Sequence, residues 1–158
     1  MGVSLLEVIA LHAADAQRAE EGGADRVELL GTMDEDGLSP EPALMAKVRR
    51  ATSIQIRPMV RLRAGFRTDG GEFTRLRGLI STYRDEGADG VVLGFLNGYA
   101  GVDLEVCNAL VADGDFPWTF HRAIDNCLEI DDAWRDLLSL PRLDQVLTAG
   151  SSRGVAFG

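Results

Sequence analysis

The chain has 158 residues, 46% of them hydrophobic, enough to bury a proper core and too apolar for a disordered polymer. Asp and Glu outnumber Lys and Arg by 25 to 16, and the resulting formal net charge of −9 repels phosphate backbones and makes nucleic acid a poor partner. No apolar run approaches the roughly 18 to 20 uncharged residues of a membrane span, and Met1-Gly2-Val3-Ser4 carries neither a cationic region nor a cleavage site, so a soluble, cytoplasmic protein is expected.

Short β-rich runs alternate with segments of helical periodicity along the chain. The strands are expected at Leu5 to Ile9, Arg26 to Leu30, Ile54 to Met59, Val91 to Phe95, Trp118 to His121 and Gln145 to Thr148. Between them, Phe73, Leu76, Ile80 and Tyr83 form one helical stripe, and Ile130, Trp134, Leu137 and Leu138 form another. Ser39-Pro40-Glu41 reads as an N-cap hydroxyl before a proline at the first helical position, and Gly22 and Gly87 read as helix stops.

A weak repeat underlies this order. The stretch from Glu21 to Gly31 echoes the stretch from Glu86 to Gly94, and Leu143 to Gly150 repeats the strand and its closing glycine. Repeated βα units of about 30 residues fit a doubly wound sheet or a (β/α)8 TIM barrel. No Gly-x-Gly-x-x-Gly follows the first strand, which favours the barrel. A closed barrel needs eight units and about 250 residues, whereas this chain supplies about six. Residues 1–158 therefore read as one α/β domain, an incomplete barrel stopping before its last two strands, with open edges that invite pairing with a second copy.

Functional side chains of such barrels lie at the C-terminal ends of strands. Glu7, Glu28 and Arg57 are read as late residues of the first three strands, opposite the apolar Leu6, Val27 and Ile56. His121 closes the fifth strand and leads to Arg122 and Asp125. Charges pointing into a barrel must pair, bind an ion or face a wet mouth, so Glu7 or Glu28 with Arg57 as purely structural ion pairs competes with a functional site. Of the two cysteines, too few for a disulfide framework, Cys107 reads as core and Cys127 as a soft ligand beside His121. His12 reads as a helix start near the mouth. Asp69-Gly70-Gly71-Glu72 reads as a helix N-terminus, and Arg61, Arg63 and Arg67 as a solvated or anion-binding flap.

The blocks from Gly22 to Leu29, Gly37-Leu38-Ser39-Pro40, Ile56-Arg57-Pro58, Gly87 to Gly94, Thr119-Phe120-His121-Arg122-Ala123-Ile124-Asp125 and Val146-Leu147-Thr148-Ala149-Gly150 resemble, in order and spacing, the copper homeostasis protein CutC family. The resemblance spans nearly the whole chain and implies a TIM barrel, a cytoplasmic location and a copper-binding role in copper homeostasis. This chain departs from the family pattern at Ile9 and Leu30, where relatives commonly carry cysteine, and at Met59-Val60-Arg61, where they often continue Arg-Pro as Arg-Gly-Gly. Thiolates suited to copper(I) are therefore absent at those positions.

Three functions compete, the first of them implied by the resemblance. One is copper binding, with His121 and Cys127 as ligands near Glu7, Glu28 and Asp125. Another is an enzyme acting on a small polar or anionic substrate, with His121 as general acid or base, Arg57 as anion clamp and Glu7 or Glu28 as base or orienting group. The third is an inactive fragment.

Overall fold

The computed structural model describes residues 4–158. Six parallel strands follow one another in space in chain order: β1 (Glu7–Ala10), β2 (Arg26–Leu29), β3 (Gln55–Pro58), β4 (Val91–Leu93), β5 (Trp118–Phe120) and β6 (Leu143–Val146). A single parallel bridge, Met59 to Val92, joins the β1-β2-β3 sheet to the β4-β5-β6 sheet. Helices α1 (Ala13–Glu21), α2 (Pro42–Ala51), α3 (Gly70–Asp85), α4 (Leu104–Val111) and α5 (Ile130–Ser139) fill the connections. This is the α/β barrel arrangement with six units. Among the described residues no hydrogen bonds join β1 to β6, so the sheet remains open.

Period-two alternation sorts the strand residues between two environments. Val27, Leu29, Ile56, Val91, Leu93, Trp118 and Phe120 pack outward against the helices in the main core, together with Leu76, Ile80 and Tyr83 of the expected α3 stripe. Leu30, Met59 and Val92 form a small separate apolar cluster inside the curved sheet. The α5 stripe is split: Leu137 is buried, whereas Ile130, Trp134 and Leu138 are exposed.

The echoed Gly-Ala-Asp blocks have a common physical role. Gly23 and Gly87 take φ of 87° and 90° just past α1 and α3, a left-handed turn that favours glycine. Asp25 and Asp89 then each accept a backbone amide from the neighbouring strand region, Leu6 at 2.8 Å and Ile56 at 2.9 Å.

Three local expectations need correction. β1 begins at Glu7, so Glu7 lies at the N-terminal end of its strand and not near the mouth. β6 begins at Leu143, two residues early, and brings Asp144 into the sheet. α2 begins at Pro42 after Glu41, because the Ser39 hydroxyl is engaged elsewhere: its oxygen accepts the Arg61 amide at 2.7 Å and its hydroxyl donates to the Arg61 carbonyl at 3.0 Å. Gly22 caps α1 as expected, whereas α3 ends at Asp85 with Glu86 as its cap, one residue before Gly87.

Candidate functional site

The charged residues inside the sheet divide by whether they have partners. At the N-terminal rim, Arg26 donates to Glu7 at 3.1 Å and to Gln55 at 3.0 Å, and also bonds Gln145 across the opening between β2 and β6. Arg57, only 1% exposed, makes a two-pronged bond to Asp144 at 2.6 and 2.7 Å and donates to Thr119 at 2.8 Å. A register shift opposite Trp118 and Thr119 sets Asp144 out of the regular pairing, as a β-bulge re-aims a side chain, and lets it meet Arg57 while Gln145 meets Arg26. The ion pairs are thus Glu7 with Arg26 and Arg57 with Asp144, instead of Glu7 or Glu28 with Arg57. Both are structural, and Arg57 is not available as an anion clamp.

At the C-terminal end of the strands lies a cavity of about 260 Å³ whose polar wall includes Glu28, His121, Arg61 and Arg122 and whose apolar wall includes Leu30 and Met59. Glu28 and His121 are each 4% exposed. The Glu28 carboxylate has no hydrogen-bond partner among the described residues, and burial, reinforced by the Glu7 charge, pushes its pKa up to about 7. Val27, its neighbour on the strand, faces the helices, which is why Glu28 faces the cavity.

His121 is held tightly. Its amide donates to the Leu93 carbonyl at 3.0 Å, its Nδ1 accepts the Ala123 amide at 3.2 Å, and its ring packs on Phe66 with centroids 5.5 Å apart. Gly94 makes room for it, since a Cβ there would stand 2.6 Å from Nδ1. Burial, with the nearby Arg61 charge, pushes the imidazole pKa down to about 3, so the ring is neutral at physiological pH. With Nδ1 acting as acceptor, the single proton belongs on Nε2. Nε2 is buried and has no partner among the described residues. The cavity is therefore offered an unused N–H donor.

Arg61 is not the solvated flap that its sequence context suggests. It is 6% exposed, and its guanidinium donates to the carbonyls of Gly65 at 3.1 Å and Gly37 at 3.1 Å, bonds Glu35, and lies over the Phe66 ring. Arg63 does lie half out in solvent, paired to Glu72 at 2.7 Å, and Asp69 caps α3 by accepting the Glu72 amide. His12 precedes α1 as its N-cap and does not line the cavity.

Asp125 accepts from Arg122 at 3.0 Å, from the Ala149 amide at 2.9 Å and from the Thr148 hydroxyl. Burial alone would raise its pKa, but these three donors hold it below the usual carboxylate range. It ties the loop after β5 to the loop after β6 and positions Arg122.

The sulfur groups lie apart from one another. Cys107 is buried in the main core with its thiol pushed up to about 12 by burial, and Cys127 packs half-buried against the same core with its thiol raised by burial, then by Asp136 and Asp125. Neither lines the cavity. Among the described residues no group of three or more His, Cys, Asp or Glu is arranged to hold a metal ion. His121 presents a proton at Nε2 in place of a lone pair. What the cavity does offer a soft ion is the thioethers of Met33 and Met59, both on its wall with Ile9 and Leu30. Neither thiol is placed to act as a ligand on this cavity.

Of the expected site residues, the cavity brings together Glu28 and His121, with Asp125 behind Arg122. It excludes Glu7, Arg57 and Cys127. Sequence reasoning missed Asp144, Arg61 and Met59 as interior residues; only Met59, at the end of an apolar run with strand periodicity, carried a signal that could have found it.

The CutC family model matches residues 4–157. A CutC family protein of Klebsiella pneumoniae (strain 342) is 35% identical over 158 residues, covering 99% of this chain and 64% of the relative. One from Yersinia pseudotuberculosis serotype O:1b is 34% identical over 155 residues, covering 97% and 61%. The chain thus spans less than two thirds of the length of these curated relatives. The putative copper homeostasis protein CutC of Streptococcus agalactiae superposes with a TM-score of 0.85 at 25% identity, over 95% of this chain and 74% of that one. The 4-hydroxy-tetrahydrodipicolinate synthase of Methylacidiphilum fumariolicum SolV superposes at 0.67 with 17% identity, over 95% and 55%, a likeness of fold alone.

Proposed function

Because the chain belongs to the CutC family, we propose that it serves copper homeostasis in the cytoplasm and binds copper(I) weakly at the mouth cavity, through the thioethers of Met33 and Met59. The observation that carries this reading is the placement of both methionines on the cavity wall, while neither cysteine reaches it. Thioethers are neutral soft donors that select copper(I) over harder ions, and two of them hold it far less firmly than thiolates do. A reducing compartment agrees with two free cysteines and with the monovalent ion. No helix among the described residues is long and apolar enough to cross a membrane. Competition titration against a copper(I) chelator tests the proposal. Weak binding that is unchanged in Cys127→Ser and lost in Met33→Leu/Met59→Leu supports it; tight binding that disappears with Cys127→Ser refutes it.

The pairing of Glu28 with His121 favours a second reading, in which the cavity performs acid–base chemistry on a small polar or anionic molecule. A carboxyl group titrating near neutrality and a neutral imidazole with a free N–H, on one cavity, are groups placed for proton transfer. Binding of small carboxylates to the protein, followed by ligand-observed NMR and abolished by a bulky Gly94→Val substitution, tests this reading. Absence of binding by the wild-type chain rejects it.

A further inference from the structure

The two unpartnered groups of the cavity ask for different things. The Nε2–H of His121 is a neutral donor buried away from water, and it gains most from an oxygen on which negative charge develops. The Glu28 carboxylate accepts no hydrogen bond among the described residues and shares the cavity wall with the apolar Leu30 and Met59, so it is a largely buried base with little solvation to lose. Arg122 commits Nε to Asp125 at 3.0 Å and one terminal nitrogen to the Ser151 carbonyl at 3.4 Å, which leaves its other terminal nitrogen for an anion. A volume of about 260 Å³ lies below the usual range of pockets for drug-sized ligands, about 300 to 1,000 Å³, and suits a molecule of a few carbons.

We propose that the cavity binds a short 2-oxocarboxylate and exchanges a proton at the carbon beside its ketone, with Glu28 as the base, His121 Nε2–H on the ketone oxygen and Arg122 on the carboxylate. This rests on the acid–base reading of the cavity. In the step, a Glu28 oxygen takes a proton from C3 of the ligand. The C–H electron pair becomes the C2–C3 double bond, and the carbonyl π pair moves onto oxygen, where the Nε2–H bond shortens. The Glu28 carboxyl then trades that proton for one from solvent and delivers it to C3, which restores the ketone; the exchange is redox-neutral and needs no co-reactant besides water. A neutral imidazole suits this role better than an imidazolium because it holds the enolate oxygen without surrendering its own proton. Glu28 in turn is ionised in a useful fraction near neutral pH while remaining a stronger base than an exposed carboxylate.

The experiment uses the 158-residue chain with pyruvate and 2-oxobutyrate in D2O. Binding is followed by saturation-transfer NMR, and exchange by loss of the C3 proton signals. We expect both acids to bind and to exchange faster than in buffer, with a rate that rises through one ionisation near pH 7. Glu28→Gln should lower exchange by about 100-fold or more while leaving binding in place, as expected for loss of a general base. Failure of the wild-type chain to bind either acid overturns the acid–base reading itself. Binding without exchange overturns only the proposed chemistry, and so does exchange that persists in Glu28→Gln. Should that variant not fold, the wild-type exchange rate and its pH profile still decide, because exchange no faster than buffer leaves Glu28 without a role.

Discussion

Replacing Asp144 with alanine should cost the fold more than replacing its partner Arg57 with methionine, although the arginine change removes the same two hydrogen bonds and the one to Thr119 besides. Arg57 is 1% exposed and Asp144 43% exposed, so the two orphaned charges are left in different media. Without Asp144 the guanidinium keeps only the Thr119 hydroxyl, and its Nε already lacks a partner among the described residues. Stranding a buried charge of this kind costs about 3 to 5 kcal/mol. Without Arg57 the carboxylate hydrates, methionine refills much of the space, and the lost charged hydrogen bonds account for about 1.5 to 3 kcal/mol. A gap of about 2 kcal/mol corresponds to about 4 to 8 °C in Tm for a chain of this size. Urea unfolding at pH 7, followed by the fluorescence of buried Trp118, measures both variants under the same conditions. An Arg57→Met loss equal to or larger than that of Asp144→Ala would refute the reasoning, since it would mean that the bulge residue is hydrated at no cost to Arg57.

Three further outcomes are expected. Glu28 has a folded pKa of about 7 against an ordinary 4.5, so its contribution to stability is full below about pH 4.5 and is lost as pH rises through 7; the Glu28→Gln variant should match the wild type near pH 5 and exceed it by a few kcal/mol at pH 8, by about 1.4 kcal/mol per pKa unit. Besides burial, the Glu7 charge bears on that carboxyl, and the titratable groups His121, Asp36, Arg61 and Arg122 line the same cavity; a flat difference between pH 5 and 8 would show that the site solvates it. Gly94→Ala should drive the imidazole out of its seat and raise its pKa from about 3 toward the ordinary 6.5, read by NMR titration in a His12→Gln background; an unshifted resonance would show that the ring is not seated against Gly94. Finally, β1 and β6 are open edges with Leu5, Leu6, Val8 and Ile9 exposed beside the first, so light scattering should show self-association of the 158-residue chain, and a monodisperse monomer would contradict this.

Element type and order were legible because they depend on local periodicity. The Gly-Ala-Asp echoes marked two turns in which a left-handed glycine and an amide-capping aspartate do the same work twice, and Val27 and Ile56 declared which strand face meets the helices. The placement of Glu28 and His121 followed from that alternation. Boundaries were less legible: a two-residue error in β1 was enough to move Glu7 from rim to mouth, since neighbouring strand residues differ by more than 3 Å in height. Partner choice was not legible at all. Arg57 sits beside Glu28 in the β2–β3 register, and nothing local reveals that its long side chain reaches β6, where a bulge presents Asp144.

That distinction explains how one barrel interior holds both scaffold and site. Arg26 and the terminal nitrogens of Arg57 are bonded by groups drawn from strands remote in sequence, so their charges hold β6 against the opposite part of an open sheet. Arg61 is satisfied by carbonyls of two loops, and it nevertheless acts at a distance, because its fixed charge beside His121 opposes protonation of the ring. Burial does most to keep the imidazole in its neutral, donating form, and the same guanidinium that orders the loops around the mouth adds to it. Glu28 and His121 Nε2, by contrast, have no partner among the described residues and line the cavity at the C-terminal end of the strands. Leaving the buried Nε2–H of His121 unsatisfied costs the protein stability, and at a cavity a ligand can complete the missing bond, which the buried Nε atoms of Arg57 and Arg142, away from the cavity, are not placed to gain.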